Sequence, residues 1–166
     1  EKGNLDAAIE NYKKAISIKP LYADAFNNMG NAFKRKNNLN AALESYNRAI
    51  KINPNHADAH SNMGTILQDK GEFIGAINCY KRALQIRPDY IKALSNLGNA
   101  FKEQGDVNAA EESYISAIKI KPDYAEAAFG LSLLYLSTHN FKNGWTGYEW
   151  RWKDSSCTSP FLSTTK

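Results

Sequence analysis

Apolar residues recur along this chain at steps of three and four, interrupted at regular places by glycine and proline. Phe26, Met29 and Phe33 form one such run, and Leu94, Leu97 and Phe101 form another. Steps of three and four gather side chains on one face of a helix, so each run predicts an amphipathic first helix. A second predicted helix follows each time, over Leu39–Ile52, Phe73–Ile86 and Val107–Ile120. These second helices carry small residues at Ala42, Ala76 and Ala110 and a tyrosine one turn later, at Tyr46, Tyr80 and Tyr114. The turns between the helices read Lys36-Asn37-Asn38, Lys70-Gly71-Glu72 and Gln104-Gly105-Asp106. Glycine takes the left-handed conformation that ends a helix, and asparagine is the next-best residue for it. Pro54, Pro88 and Pro122 come after the second helices, where continuation would cost a backbone hydrogen bond.

The pattern keeps one period. Pro20, Pro54, Pro88 and Pro122 stand 34 residues apart, as do Gly30, Gly64 and Gly98, Tyr12, Tyr46, Tyr80 and Tyr114, and Ala15, Ala49, Ala83 and Ala117. A repeat of that length implies stacked helix pairs, each burying its apolar face on its neighbours rather than in a central core. Helices of about 14 residues are marginal alone in water, so stacking must supply the stability. Gly30, Gly64 and Gly98 fall inside first helices, at a cost of about 1 kcal/mol each relative to alanine. The recurrence of that cost implies a close helix approach at each of them. The expected organisation is a second helix of a partial first repeat over 1–22, full repeats over 23–56, 57–90 and 91–124, a degenerate capping repeat over 125–152, and a Ser/Thr-rich tail over 153–166.

The combination of Phe26, Met29, Gly30 and Phe33 with Ala42, Tyr46, Ala49 and Pro54, repeated in the later copies, resembles the tetratricopeptide repeat over about nine tenths of the chain. The resemblance implies an all-α, right-handed solenoid of antiparallel helix pairs, with the first helices lining a concave face. It further implies a protein-interaction module that binds a protein or an extended peptide there. His60 departs from the pattern, standing where the other copies have Phe26 and Leu94.

On that implied face Asn28, Asn62 and Asn96 repeat in register. Asn31 and Asn99 form a second row interrupted by Thr65, and Lys34, Gln68 and Lys102 form a more variable third. An asparagine amide offers both a donor and an acceptor, which suits recognition of a peptide backbone. Chaperone-binding members of the family hold a terminal carboxylate with two lysines, two asparagines and an arginine. Asn31, Asn62 and Lys92 match that set, whereas Asn27 and Asn96 replace a lysine and the arginine. Losing two cations argues against such a clamp, because charge-assisted bonds supply most of its grip. The asparagine rows instead resemble the repeat arm of O-linked N-acetylglucosamine transferases. Residues 141–152 resemble the junction of bacterial tetratricopeptide proteins that carry a following glycosyltransferase-like domain. The alternative expectation is therefore a non-catalytic arm that recruits protein substrates for such an enzyme.

In the fifth copy Gly144 keeps the small position and Tyr148 the tyrosine position, while Arg151 replaces the alanine. Phe141, Trp145, Tyr148 and Trp152 share one helix face, and with Trp150 they are expected to close the apolar end of the stack, since terminal repeats need an atypical cap. At the other end the first copy lacks its first helix. Leu5, Ile9 and Tyr12 are expected to be uncovered, an invitation to self-association.

Composition and chemistry narrow the picture further. The net charge of +4 is explained by Lys19, Lys51, Arg87, Lys119 and Lys121 at helix ends, where cations complement the helix dipole, and no nucleic-acid partner is expected. There is no apolar run of membrane-spanning length, so no membrane partner is expected either. Cys79 and Cys157 are far apart in the repeat lattice, which suits a reducing compartment and points to the cytoplasm. His56 and His60 are four apart but lack further ligands at matching spacing, so no metal is expected. His139 reads as a turn residue. No nucleophile–base set, paired carboxylates or phosphate loop is present, so neither a catalytic role nor a cofactor is expected for this stretch.

Overall fold

A computed structural model describes residues 2–148. The described residues are helical, with no strand, and the chain divides into two compact units, Glu1–Ala93 and Leu94–Lys166.

The first unit holds α1 (Lys2–Ile18), α2 (Ala23–Arg35), α3 (Leu39–Ile52), α4 (Ala57–Asp69), α5 (Phe73–Ile86) and the start of α6 (Ile91–Gln104). Consecutive helices pack in pairs, α2 on α3 and α4 on α5, with α1 against α2 and α3 against α4. The mid-helix glycines mark the closest approaches. A Cβ on Gly30 would lie 2.5 Å from Tyr46 Cε1, and one on Gly64 would lie 2.8 Å from Tyr80 Cε1. Both rings are fully buried, as are Ala42, Ala49, Ala76 and Ala83. The tyrosine ring thus occupies the volume that the glycine vacates, so the helix-propensity penalty is offset by burial of an aromatic ring. Tyr46, Ala42 and Ile66 form a core with Phe33, Leu39, Leu43 and Met63 packed around it. Asn37 and Gly71 have φ of 59° and 77°; these left-handed residues end α2 and α4. Asn38 then caps α3 by accepting from the Ala41 amide at 3.2 Å.

The expected uncovered patch at the amino-terminal end is corrected here. Ile9 is only 5% exposed, and Leu5 and Tyr12 are half-buried, because α1 packs against α2. Lys36 also pairs with Asp6 across these helices. Ile18 and Leu21, at the end of α1 and in the turn after it, are instead exposed.

The second unit holds the rest of α6, α7 (Val107–Ile120), α8 (Ala125–Ser137) and α9 (Phe141–Tyr148). Tyr114 of α7 is packed between two glycines. A Cβ on Gly98 of α6 or on Gly130 of α8 would each come within 2.7 Å of its ring. Gly105 and His139 take φ of 87° and 62° at the two turns. Asp106 caps α7 by accepting from the Ala109 amide at 3.1 Å. In α9 the buried contact is Gly144 against Leu136, whereas Phe141 and Trp145 are 53% and 61% exposed. These two members of the expected aromatic cap are therefore not buried, while Gly144 sits against Leu136 of α8. Trp150, Arg151, Trp152 and the 153–166 tail lie outside the described residues.

Candidate functional site

The expected site residues all lie on first helices, and the structure gives them different roles. In the first unit, Asn28 is exposed, Asn31, Lys34, Asn62 and Thr65 are half-buried, and Lys92 is exposed at the start of α6. The link between α2 and α4 runs through Asn27, which is not among the expected contacts. Asn62 Nδ2 donates to Asn27 Oδ1 at 3.0 Å, and Asn27 Nδ2 reaches Asn28 Oδ1 at 3.4 Å. Asn27 is 6% exposed, so its amide belongs to the packing between repeats. The available signal was its register with Ser61 and Ser95, both buried small polar residues.

The second row is tied to the tyrosines. Tyr46 Oη donates to Asn31 Oδ1 at 2.8 Å. In the next repeat Thr65 turns its hydroxyl onto the Ser61 carbonyl of its own helix, at 3.1 Å, and Tyr80 Oη donates to Gln68 Oε1 at 3.0 Å. The row that appeared broken at Thr65 thus continues one turn later. Burial raises the pKa of both tyrosines, to about 12 for Tyr80, so the hydroxyls stay protonated and continue to donate. The two ends of these two amides are therefore not equivalent. The carbonyl oxygens of Asn31 and Gln68 are engaged by tyrosine, while their NH₂ groups make no hydrogen bond to another described residue.

Lys34 is flanked by Asp69 and Lys92. Burial lowers its pKa, Asp69 partly offsets the shift, and Lys92 adds to it. No described carboxylate forms an ion pair with Lys34 or Lys92.

The second unit has the same arrangement on α6. Asn96 and Asn99 are half-buried, and Tyr114 Oη donates to Asn99 Oδ1 at 2.5 Å. Lys102 lies 3.3 Å from the neighbouring Glu103.

A separate polar recess of about 290 Å³ in the first unit is lined by Asp24, Asn53, Asn55, His56, Asp58 and Arg87. His56 is the N-cap of α4: its Nδ1 accepts from the Ala59 amide at 3.3 Å. Its buried Nε2 lies 3.1 Å from Asp24 Oδ1 without being aligned for a hydrogen bond. His60 Nε2 is 3.0 Å from the Pro54 carbonyl oxygen, so the two histidines bond to different backbone groups at the α3–α4 connection. Burial opposes ionisation of Asp58, but hydrogen bonds from Arg87 and Tyr90 outweigh it and hold its pKa below the usual aspartate value. Arg87 donates to Asp58 at 2.9 Å and stacks over the Tyr90 ring at 4.2 Å. No group of three or more metal-ligating side chains occurs among the described residues.

Comparison with known proteins places these features in a family. The profile of the TPR repeat matches residues 1–37, 30–71, 64–105 and 98–138. No curated protein matches the sequence significantly. Among solved structures, a crystal structure of MamA is similar at 25% identity with a TM-score of 0.80, over 90% of this chain and 87% of that one. A second MamA structure aligns at 25% identity and a TM-score of 0.76 over 96% and 91% of the two chains. PilF of Pseudomonas aeruginosa shares the fold at 21% identity and a TM-score of 0.82, over 89% of this chain and 68% of its own. With a family profile repeating over most of its length and a buried glycine–tyrosine contact in each full repeat, the chain belongs to the TPR-repeat family.

Proposed function

We propose that this chain is a protein-interaction scaffold that binds an extended peptide segment of a partner along the first helices of its repeats. One observation carries the reading. The half-buried amides of Asn31, Gln68 and Asn99 recur on the first helices with NH₂ groups unused by the fold, while the second helices spend their tyrosines and alanines on packing. Regularly spaced hydrogen-bonding groups suit a ligand whose backbone presents partners at regular intervals. Asn28, Asn31, Lys34, Asn62, Thr65 and Lys92 are the proposed contacts in the first unit, and Asn96, Asn99 and Lys102 those in the second. The alternative, the non-catalytic arm of a glycosyltransferase that recruits its protein substrates, rests on the resemblance of the asparagine rows to the repeat arm of O-linked N-acetylglucosamine transferases and on that of residues 141–152, of which 149–152 lie outside the described residues.

The test uses a partner first captured by the immobilised chain and then purified. The double variant Asn62→Ala/Asn96→Ala is expected to bind it more weakly while keeping its helix content. Unchanged affinity would sink the reading.

A further inference from the structure

The proposed binding face has a hydrogen-bonding polarity, and it is set from behind by the second helices. A phenolic hydroxyl has a single proton to donate, and a buried donor left without an acceptor costs about 1–3 kcal/mol. Tyr46 and Tyr80 are fully buried. Each donates to an amide oxygen on the first helix of its own repeat, at 2.8 Å to Asn31 and 3.0 Å to Gln68. An amide whose oxygen is held in this way must present its NH₂ elsewhere. Neither NH₂ group has a protein partner among the described residues, and neither is among the buried polar atoms left unsatisfied. Both therefore remain open to solvent or ligand. The second unit repeats the device independently, with Tyr114 holding Asn99 at 2.5 Å.

We infer that Tyr46 and Tyr80 in the first unit, and Tyr114 in the second, are positioning residues that turn the Asn31, Gln68 and Asn99 amides so that each unit presents their NH₂ donors, selecting a partner segment rich in hydrogen-bond acceptors. Backbone carbonyls of an extended peptide satisfy the row, and carboxylate side chains satisfy it better, because bonds to a charged acceptor are about twice as strong. In the first unit the charges point the same way. Lys92 lies close enough to Lys34 to add to the lowering of its pKa that burial causes, with Asp69 offsetting part of it, and neither lysine forms an ion pair with a described carboxylate, so an anion is favoured beside the pair. The inference rests on the proposed peptide-binding role of this face and adds its chemical preference and the groups that impose it.

The experiment titrates the whole chain with end-capped oligoglutamate, oligolysine and Gly-Ser peptides of equal length, following the side-chain amide resonances of Asn31 and Gln68 together with backbone amides. Oligoglutamate is expected to bind tightest and to shift those NH₂ signals. Tyr46→Phe/Tyr80→Phe keeps the buried rings and the far-UV dichroism but frees the amides to flip, and is expected to weaken oligoglutamate binding about tenfold. Asn31→Asp/Gln68→Glu retains the acceptor for each tyrosine, removes the donors, and is expected to abolish it. Unchanged affinity in either variant, or a preference for oligolysine, overturns the inference alone. Peptide-induced shifts confined to helices other than α2, α4 and α6 overturn the proposed binding face and the inference with it.

Discussion

Replacing Gly30 with alanine sets two effects against each other that can be measured separately. Helix propensity alone favours the change by about 1 kcal/mol, because glycine inside a helix loses more backbone entropy. The packing opposes it. The new Cβ would stand 2.5, 2.8 and 3.0 Å from three atoms of the Tyr46 ring, up to nearly an ångström inside the 3.4 Å at which ordinary contact begins. The ring is fully buried, and its hydroxyl is anchored on Asn31, so it has little room to retreat. Overpacking of this kind costs about 1–3 kcal/mol, and a contact with an anchored ring belongs at the upper end of that range. The expected net effect of Gly30→Ala is a loss of about 1–2 kcal/mol. For a chain of this size that lowers the unfolding temperature by about 2–4 °C per kcal/mol. Denaturant unfolding followed by far-UV dichroism reads the change, and Tyr46→Leu supplies the second arm of a double-mutant cycle. With the ring gone the clash disappears, and Gly30→Ala should then be neutral or stabilising by up to about 1 kcal/mol. An equal penalty in both backgrounds, or a stabilised single variant, would refute the assignment of Gly30 to a ring contact.

Two further outcomes follow from the recess at the start of α4. His56→Ala removes the acceptor for the Ala59 amide and should cost about 1 kcal/mol in thermal unfolding, whereas His56→Asn, which can still cap, should lose less; equal losses would count against the capping role. The Asp58–Arg87 pair predicts an acid-sensitive contribution. The folded pKa of Asp58 lies below its ordinary 3.8, so the stability it contributes is present above that value and is lost as pH falls from there through the folded pKa. The stability gap between the wild type and Arg87→Met should accordingly shrink over that interval, and a gap that stays constant with pH would show that the pair is not its source.

The parts of the molecule legible in the sequence are those in which a residue's type is its role. Gly30 and Tyr46 recur at one period because a ring can enter a helix crossing only where the facing residue lacks a side chain. Asn37, Gly71, Gly105 and His139 sit at the turns because few other residues accept a positive φ there. The candidate site was only partly legible. Its rows of asparagines could be read from register, but an amide looks the same in sequence whichever end is free. The role of Asn27 is not legible in its own helix, because it depends on the amide that Asn62 of the next repeat brings to it. Gln68 stands by register in the variable row, yet it replaces the asparagine missing at Thr65 as the tyrosine's acceptor.

The sequence by itself determined the helix pairs, their period and the family, since those depend on backbone propensity and on local apolar spacing. Tertiary structure alone decided that Leu5, Ile9 and Tyr12 are covered by α2, that Phe141 and Trp145 stand exposed, and that the amide row presents donors. Each of these depends on which atoms of a distant element arrive at a given face. Burial and hydrogen-bond polarity are properties of such pairs of surfaces, and a single helix pattern specifies only one member of each pair.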